Sequence, residues 1–177
     1  APAPSRRAVN MNRLGRILRD GEGGRVDVLF VQGSNPAATC PEQAIVLEGL
    51  ARDDLFTVVH EISMTDTALY ADLVLPATTQ FEVQEVAGSY GSFLLQPVAA
   101  VIDRVGQSRT NDEVSTAIGT RLGLDATVWD PDPERVASLA LGARSLPFAK
   151  REPGTTVQFR DVDPGPGHGH KARLVVD

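Results

Sequence analysis

The residues of this 177-residue chain that suit ligand chemistry follow short apolar runs. Gly33, Ser34 and Asn35 come directly after the first run, 26–32, and lead into a proline-containing turn. If the run is a strand and a helix follows, main-chain N–H groups face a crevice there and suit a phosphate or pyrophosphate. The same residues also suit an ordinary structural turn, so both interpretations stay open.

The second apolar run begins at Phe56 and ends at His60 and Glu61. Glu61 lies close to the spacing from Gly33 at which dinucleotide folds keep an acid for ribose hydroxyls, and its carboxylate also suits two N–H groups of a guanine edge. The alternatives are a solvated loop acid at Glu61 and a hydrogen-bonded packing histidine at His60. The Thr65 hydroxyl, further on, suits either a polar ligand or the cap of a short helix.

Composition excludes several other kinds of site. Cys40 is the sole cysteine and the three histidines are scattered, so the chain has no spacing for a disulfide, an iron–sulfur cluster or a zinc site. Neither a P-loop nor a glycine-rich nicotinamide motif follows a strand. A net charge of −6 with two lysines argues against nucleic acid as a partner. The apolar runs are far shorter than the ~20 residues of a membrane span, so we expect no membrane insertion.

Helix and strand patterns alternate along the chain and position these residues. Apolar spacing predicts an amphipathic helix over 9–19. A second helix, to about residue 51, is predicted because Thr39 and Glu42 have capping-box spacing and Pro41 suits its first turn. Strands are predicted over 26–32, 56–60 and 72–75, an extended stretch over 90–102, a helix over 111–122 and a weaker helix over 132–143. This order predicts an α/β fold, a Rossmann-like three-layer unit with a mainly parallel sheet.

Breakers and charge divide the chain into three parts. We expect an amphipathic N-terminal helix and linker over 1–25, the α/β domain over 26–145, and a linker or the start of a further domain over 146–177. The last part is irregular and rich in glycine and proline, a composition that resists helices and sheets. In an open parallel sheet, ligands bind beyond the carboxyl ends of the strands. The residues after the three strands therefore define the candidate site.

The order and spacing of these motifs closely resemble the molybdopterin oxidoreductases of the dimethyl sulfoxide reductase and formate dehydrogenase superfamily. The resemblance is carried by Phe-Val-Gln-Gly-Ser-Asn-Pro-Ala at 30–37, by Arg-Asp-Asp-Leu-Phe-Thr-Val-Val-His-Glu at 52–61, and by Thr-Asp-Thr-Ala-Leu-Tyr-Ala-Asp-Leu-Val-Leu-Pro-Ala-Thr-Thr-Gln-Phe-Glu at 65–82. With Ser89-Tyr90-Gly91 and Asn111, it runs from about Val9 to Leu124.

The resemblance implies the third domain of that fold, which binds one guanine-dinucleotide arm of bis(molybdopterin guanine dinucleotide). The family pattern implies seven cofactor-binding residues: Gly33, Ser34, Asn35, His60, Glu61, Thr65 and Asn111. The first three would approach the dinucleotide, and His60 with Glu61 would meet its ribose or guanine. Asn111 takes a position often filled by aspartate. Val83 stands where some relatives have a cofactor-contacting lysine, so no side-chain bond is expected there.

In this superfamily the residue bound to molybdenum, and any iron–sulfur motif, lie well upstream of the matched region. The resemblance therefore implies that molybdenum is ligated outside this chain and that a cluster, if the parent enzyme has one, is not held here. Cys40 is expected to be a cap or packing residue. We expect the isolated chain to be inactive and its partners to be the other domains or subunits of a molybdenum-dependent oxidoreductase. A cytoplasmic location is expected, with a periplasmic parent left open.

Two other functions fit parts of the same sequence. The first is a scaffold domain that kept the fold but lost the cofactor, as an interaction surface in a respiratory-type complex. The joint presence of Asn35, Glu61 and Thr65 after strands favours cofactor binding over this alternative. The second, a flavodoxin-like nucleotide binder, lacks that fold's phosphate loop. The substrate of the parent stays open among nitrate, formate, sulfoxides and arsenite.

Overall fold

A computed structural model describes residues 8–88, 94–124, 132, 135 and 157–158. It has two compact units, one of residues 1–83 and 101–130 and one of residues 84–100 and 131–177. The predicted helix over 132–143 and nearly all of the tail from 146 lie outside the described residues. In the part that is described, no helix has the length and apolar character needed to cross a bilayer.

A parallel sheet of three strands forms the centre of the first unit. Its strands are β1 (Val28–Gln32), β2 (Phe56–Glu61) and β3 (Leu73–Pro76), paired in the order β1-β2-β3. Each is a nearly continuous apolar run, as expected where both faces of a parallel sheet are shielded from water. Between β2 and β3 the chain forms one 3-10 turn over Thr67–Tyr70. The predicted α/β, Rossmann-like fold class is confirmed.

Two helices pack on one face of this sheet. They are α1 (Leu14–Asp20), which follows a 3-10 turn over Met11–Arg13, and α3 (Gln43–Leu50). Leu18 and Val46 are fully buried between them, and Leu29 of β1 packs against the same cluster. The helices approach closely because both have glycine at the contact: a Cβ on Gly49 would lie 2.6 Å from Leu18 Cβ. The amphipathic helix predicted at the amino end therefore belongs to the core of the first unit.

The helix boundaries around residue 40 differ from those predicted. Instead of one helix capped by Thr39, the chain forms a four-residue helix α2 (Pro36–Thr39) and then α3. The predicted capping box at 39–42 is wrong. The Thr39 hydroxyl donates to the Asn35 carbonyl within α2, and Glu42, at φ 57°, turns its carboxylate to Arg16. The ion pair across the two helices is available only after they pack, so local spacing did not reveal it.

Helix α4 (Asn111–Arg121) lies beyond the opposite face of the sheet, where Leu75 of β3 and residues of α4 line one groove. Its N-cap is Thr110, and the helix begins at Asn111 as predicted. Thr110 and Glu113 form a capping box in which each side chain accepts a hydrogen bond from the other's main-chain N–H. Asp112 and Glu113 lie in the first turn and Arg121 in the last, where each charge is favourable to the helix dipole.

The second unit contains a small antiparallel sheet. Strands β4 (Glu85–Gly88) and β5 (Leu94–Val98) pair in antiparallel register, and β6 (Val157–Gln158) pairs with β5. The extended character predicted for 90–102 matches β5 over its described residues. This sheet is separate from the three-stranded parallel sheet, in the order β4-β5-β6.

Candidate functional site

The carboxyl ends of the three parallel strands meet at one edge of the first unit. The Gly33 N–H donates to the His60 carbonyl at 3.1 Å, and the Ala77 N–H donates to the Glu61 carbonyl at 3.0 Å. These bonds continue the ladder by one residue, so the segments that leave β1, β2 and β3 start side by side. The topology thus brings together the predicted site residues of the first two strand ends.

Asn35 joins the first strand-end segment to the second. Its Oδ1 accepts hydrogen bonds from the Thr67 hydroxyl at 2.7 Å and from the Thr67 N–H at 3.1 Å, while its Nδ2 donates to Asp66 at 3.2 Å. Thr67 is fully buried, and its hydroxyl also accepts from the Ala37 N–H at 3.0 Å. The Asn35 amide therefore holds the β1–α2 segment against the segment that follows β2.

The main chain before Asn35 has unused donors. Gly33 adopts φ 55°, which glycine reaches without a steric penalty, and a Cβ built on it meets nothing within 4 Å. The N–H groups of Ser34 and Asn35 donate to no acceptor among the described residues. Successive free N–H groups beside such a turn form a concavity with positive potential. This segment is therefore suited to an anionic group.

His60 lies in the last ladder position but one of β2, opposite Gln32. Its ring is fully buried, with Nε2 3.2 Å from the Arg109 carbonyl and Nδ1 3.4 Å from the Gln32 amide nitrogen. Because a carbonyl only accepts, Nε2 carries the proton in this arrangement and Nδ1 accepts. Within the protein, His60 ties the sheet to the segment that leads into α4.

Glu61 and Thr65 occupy the segment after β2. Both are half-buried, and one Glu61 carboxylate oxygen accepts from the neighbouring Ile62 N–H at 2.8 Å. The other oxygen has no partner among the described residues. The Thr65 hydroxyl accepts from the Ala68 N–H at 3.3 Å and so caps the following 3-10 turn. Glu61 thus retains acceptor capacity at the sheet edge, whereas Thr65 already has a local partner.

Glu82 is a residue of this region that the sequence analysis did not select. It is 7% exposed, and its carboxylate accepts from the Val105 N–H (2.6 Å), the Thr79 N–H and hydroxyl (both 2.7 Å) and the Ser108 hydroxyl (3.2 Å). These donors, the Val105 N–H first, lower the pKa of Glu82 from 4.5 to about 2. The Thr-x-x-Glu spacing at 79–82 is a capping-box signal in the sequence, and it could have identified the contact between Thr79 and Glu82.

The hydrogen bonds from Val105 and Ser108 to Glu82 hold the segment that precedes Asn111. Arg109 pairs with Ala77 in a parallel bridge, and its carbonyl accepts from both the Thr78 N–H and His60 Nε2. Two residues later, exposed Asn111 begins α4. Main-chain bonds therefore bring the start of α4 to the same edge as Glu61, through Ala77, even though 50 positions separate the two in the chain.

An open groove of about 870 Å³ lies beside this segment. We call it the arginine groove, and it is lined by Leu75, Pro76, Arg104, Gly106, Gln107, Ser108, Arg109, Glu113, Val114, Ala117, Ile118 and Arg121. Arg104 pairs with Glu113 at 2.9 Å, whereas Arg109 and Arg121 have no carboxylate partner among the described residues. The groove thus combines an apolar wall with two arginines that form no ion pair among the described residues, although Arg109 lies within electrostatic range of Glu113. The sequence analysis missed this feature.

The polar groups of this edge are of the kinds that bind a ligand. It offers free main-chain N–H groups, one half-buried carboxylate and a nearby amide, held by buried hydrogen bonds. Over the described ranges, no three histidine, cysteine or acidic side chains come together as a metal site. Cys40 is buried, with its Sγ 3.9 Å from the Met11 carbonyl, and has the predicted character of a packing residue.

Comparison with protein families and known proteins gives a consistent result. The model of the molybdopterin oxidoreductase family matches residues 11–121. The chain is 43% identical over 127 residues to "Probable oxidoreductase YoaE" of Bacillus subtilis, which covers 71% of this chain and 18% of that protein. It is 29% identical over 103 residues to the dimethyl sulfoxide/trimethylamine N-oxide reductase of Cereibacter sphaeroides, with coverages of 57% and 12%.

Among solved structures, acetylene hydratase from Pelobacter acetylenicus aligns with a TM-score of 0.73 at 21% identity, over 84% of this chain and 20% of that one. This likeness establishes the fold. The chain spans less than a fifth of the length of these curated relatives.

Proposed function

Because the chain belongs to the molybdopterin oxidoreductase family, we propose that it is the domain that binds one guanine-dinucleotide arm of bis(molybdopterin guanine dinucleotide) in a molybdenum-dependent oxidoreductase. The observation that carries the proposal is the convergence of the strand ends: the segment with the free N–H groups of Ser34 and Asn35 leaves β1 beside the end of β2, where Glu61 lies. A ligand with an anionic middle and a purine end matches such a set of donors and acceptors.

The donor set fits the dinucleotide better than it fits a metal. The N–H groups after Gly33 suit the pyrophosphate, and the open space above Gly33 lets the ligand approach the main chain. The free Glu61 oxygen suits guanine N–H groups or ribose hydroxyls, and exposed Asn111 suits the purine edge. Asn35, Thr65 and buried His60 have internal partners, and in this proposal they position the neighbouring groups.

The bound cofactor would supply the redox chemistry, at a molybdenum ligated outside this chain, and the domain would supply position and electrostatics. We therefore expect the isolated chain to be catalytically inactive. The other domains or subunits of the oxidoreductase would complete the active site, and they would set the substrate.

The proposal is tested by titrating the chain with GDP and with ADP in a calorimeter. We expect GDP to bind more tightly than ADP, because only guanine presents adjacent N–H donors to a carboxylate. Loss of one charge-assisted hydrogen bond is worth about 1.5–3 kcal/mol, so Glu61→Ala should weaken GDP binding roughly 10- to 100-fold. ADP binding should change little. Glu48→Ala, which removes an exposed carboxylate on α3, is the matched control.

Equal binding of GDP and ADP, or an unchanged GDP affinity in Glu61→Ala, would count against the site. Absence of nucleotide binding by a well-folded chain would favour the alternative, a cofactor-free scaffold domain. The internal bonds of Asn35 and His60 would serve a scaffold equally well, so these two residues do not separate the hypotheses. The free donors at 34–35 and the free carboxylate oxygen of Glu61 do separate them.

A further inference from the structure

The second face of the parallel sheet is apolar and open. By the ladder register, one face carries Val28 and Phe30 of β1, Phe56 of β2 and Leu73 of β3. Val28 is 64% exposed, Phe56 50%, Leu73 44% and Phe30 39%. We call these four residues the open sheet face; Val58, which lies between them on the same side, is buried. Adjacent large apolar side chains at such exposure mark a surface that binds another structure.

The arrangement of helices explains why this face is open. The α1–α3 pair packs on the side of Leu29, Val31 and Val59, the opposite face of the same strands. On the open side, among the described residues, the Arg109 carbonyl bonds to His60 near the end of β2, and α4 lies beside Leu75. Parallel sheets are stable when both faces are covered. In the described part of the first unit, the side chains of Val28, Phe30 and Phe56 therefore lack a cover.

The arginine groove adjoins the open sheet face through β3, since Leu73 and Leu75 are alternate residues of one strand and share a face. The arginine groove determines which charge is favourable on an element that covers the open sheet face. Arg109 and Arg121 are exposed and form no ion pair among the described residues, and with Arg104 they outnumber Glu113, the one acid that lines the groove. An element that packs on the apolar floor along α4 would bring its flank beside both cations. A matching element has an apolar stripe and acidic residues on one side.

We propose that the open sheet face and the arginine groove together bind an amphipathic helix with acidic residues on one flank, supplied by the same oxidoreductase from outside these 177 residues. The matched stretch is only 18% of the YoaE relative, so proteins of this kind carry ample polypeptide to supply the helix. A second copy of the chain fits less well, because an isologous contact pairs identical patches and would supply arginines where acids are needed. The proposal rests on family membership and not on nucleotide binding.

Site-specific photo-crosslinking in the whole oxidoreductase tests this proposal. Phe30 is replaced by p-benzoylphenylalanine, a larger aromatic residue suited to an exposed position, and the crosslinked peptides are identified by mass spectrometry. We expect adducts with one segment outside residues 1–177, with apolar residues three and four apart and at least one Asp or Glu. Arg121→Glu should lower their yield several-fold. The same photo-label at Glu48, on α3, should not reach that segment.

Three outcomes would overturn the proposal: adducts with a second copy of the chain, adducts with residues 84–100 or 131–177 of the same chain, or no adduct at position 30. Sedimentation of the isolated chain is an independent check. A monomer is expected, and a dimer that Phe56→Ser disperses would assign the face to self-association. The GDP titration does not involve this face, so either proposal can fail while the other stands.

Discussion

Replacement of Thr67 by valine removes the hydroxyl that links the two strand-end segments and keeps the shape of the side chain. The hydroxyl donates to Asn35 Oδ1 at 2.7 Å and accepts from the Ala37 N–H at 3.0 Å. Thr67 and Ala37 are both fully buried, so water does not replace either bond. Valine fills the same volume, and the predicted effect therefore comes from hydrogen bonding and not from a cavity.

The magnitude follows from the two lost bonds. Asn35 Oδ1 keeps the Thr67 N–H, so loss of the hydroxyl donor is worth about 1 kcal/mol, whereas the buried Ala37 N–H is left without an acceptor, at about 1–3 kcal/mol. We expect Thr67→Val to lower the free energy of unfolding by about 2–4 kcal/mol. Because Asn35 then positions the 33–35 segment less firmly, GDP binding should weaken as well.

Thr57 provides the matched control. It is fully buried in β2, and its hydroxyl has no hydrogen-bond partner in the part of the chain that the structure describes. The same Thr→Val change at residue 57 removes only an unsatisfied polar group, so it should be neutral or stabilising. Urea unfolding followed by far-ultraviolet circular dichroism measures both variants. Equal stabilities of Thr67→Val and Thr57→Val would refute the reasoning, as would full stability of Thr67→Val.

Two further predictions concern packing and pH. The pKa of Glu82 is about 2 in the folded chain against 4.5 ordinarily, so its contribution to stability is present above pH 4.5 and lost as the pH falls toward 2. Glu82→Gln should therefore flatten the dependence of the urea midpoint on pH between these values. An unchanged slope would contradict this prediction. Gly49→Ala would place a Cβ 2.6 Å from Leu18 Cβ. The destabilisation caused by overpacking, about 1–3 kcal/mol, should exceed the ~1 kcal/mol that alanine gains over glycine in helix propensity. Urea unfolding should show lower stability, and stability at or above wild type would exclude a tight α1–α3 contact.

The fold class was predictable because its signals are local. Apolar runs at 28–32 and 56–61 with glycine and proline breaks indicate buried strands, and the caps and charges of α4 lie within a few residues of its ends. The rule that parallel strands end at one edge then predicts that Asn35 and Glu61 are close, before any contact is known. Their roles toward the cofactor stay predictions.

The errors and omissions have one cause, which is distance along the chain. Helix α3 starts after Glu42, whose carboxylate meets Arg16, 26 positions earlier, and the capping-box signal at 39–42 does not contain this contact. His60 lies inside the ladder because β2 extends to Glu61, one residue further than predicted. Glu82 is marked locally by Thr79, but its donors at Val105 and Ser108 come from a loop more than 20 positions away.

The sequence by itself determined the elements, their order and the edge at which polar residues collect, because these depend on backbone preferences and apolar periodicity over short windows. Only the tertiary structure decided that Asn35 is bonded to Thr67, that the Arg109 carbonyl accepts a hydrogen bond from His60, and that Phe30 and Phe56 remain exposed on one face of the sheet. Such outcomes depend on which distant segments fill the same space, and hydrogen bonds and burial are realised only when those segments meet.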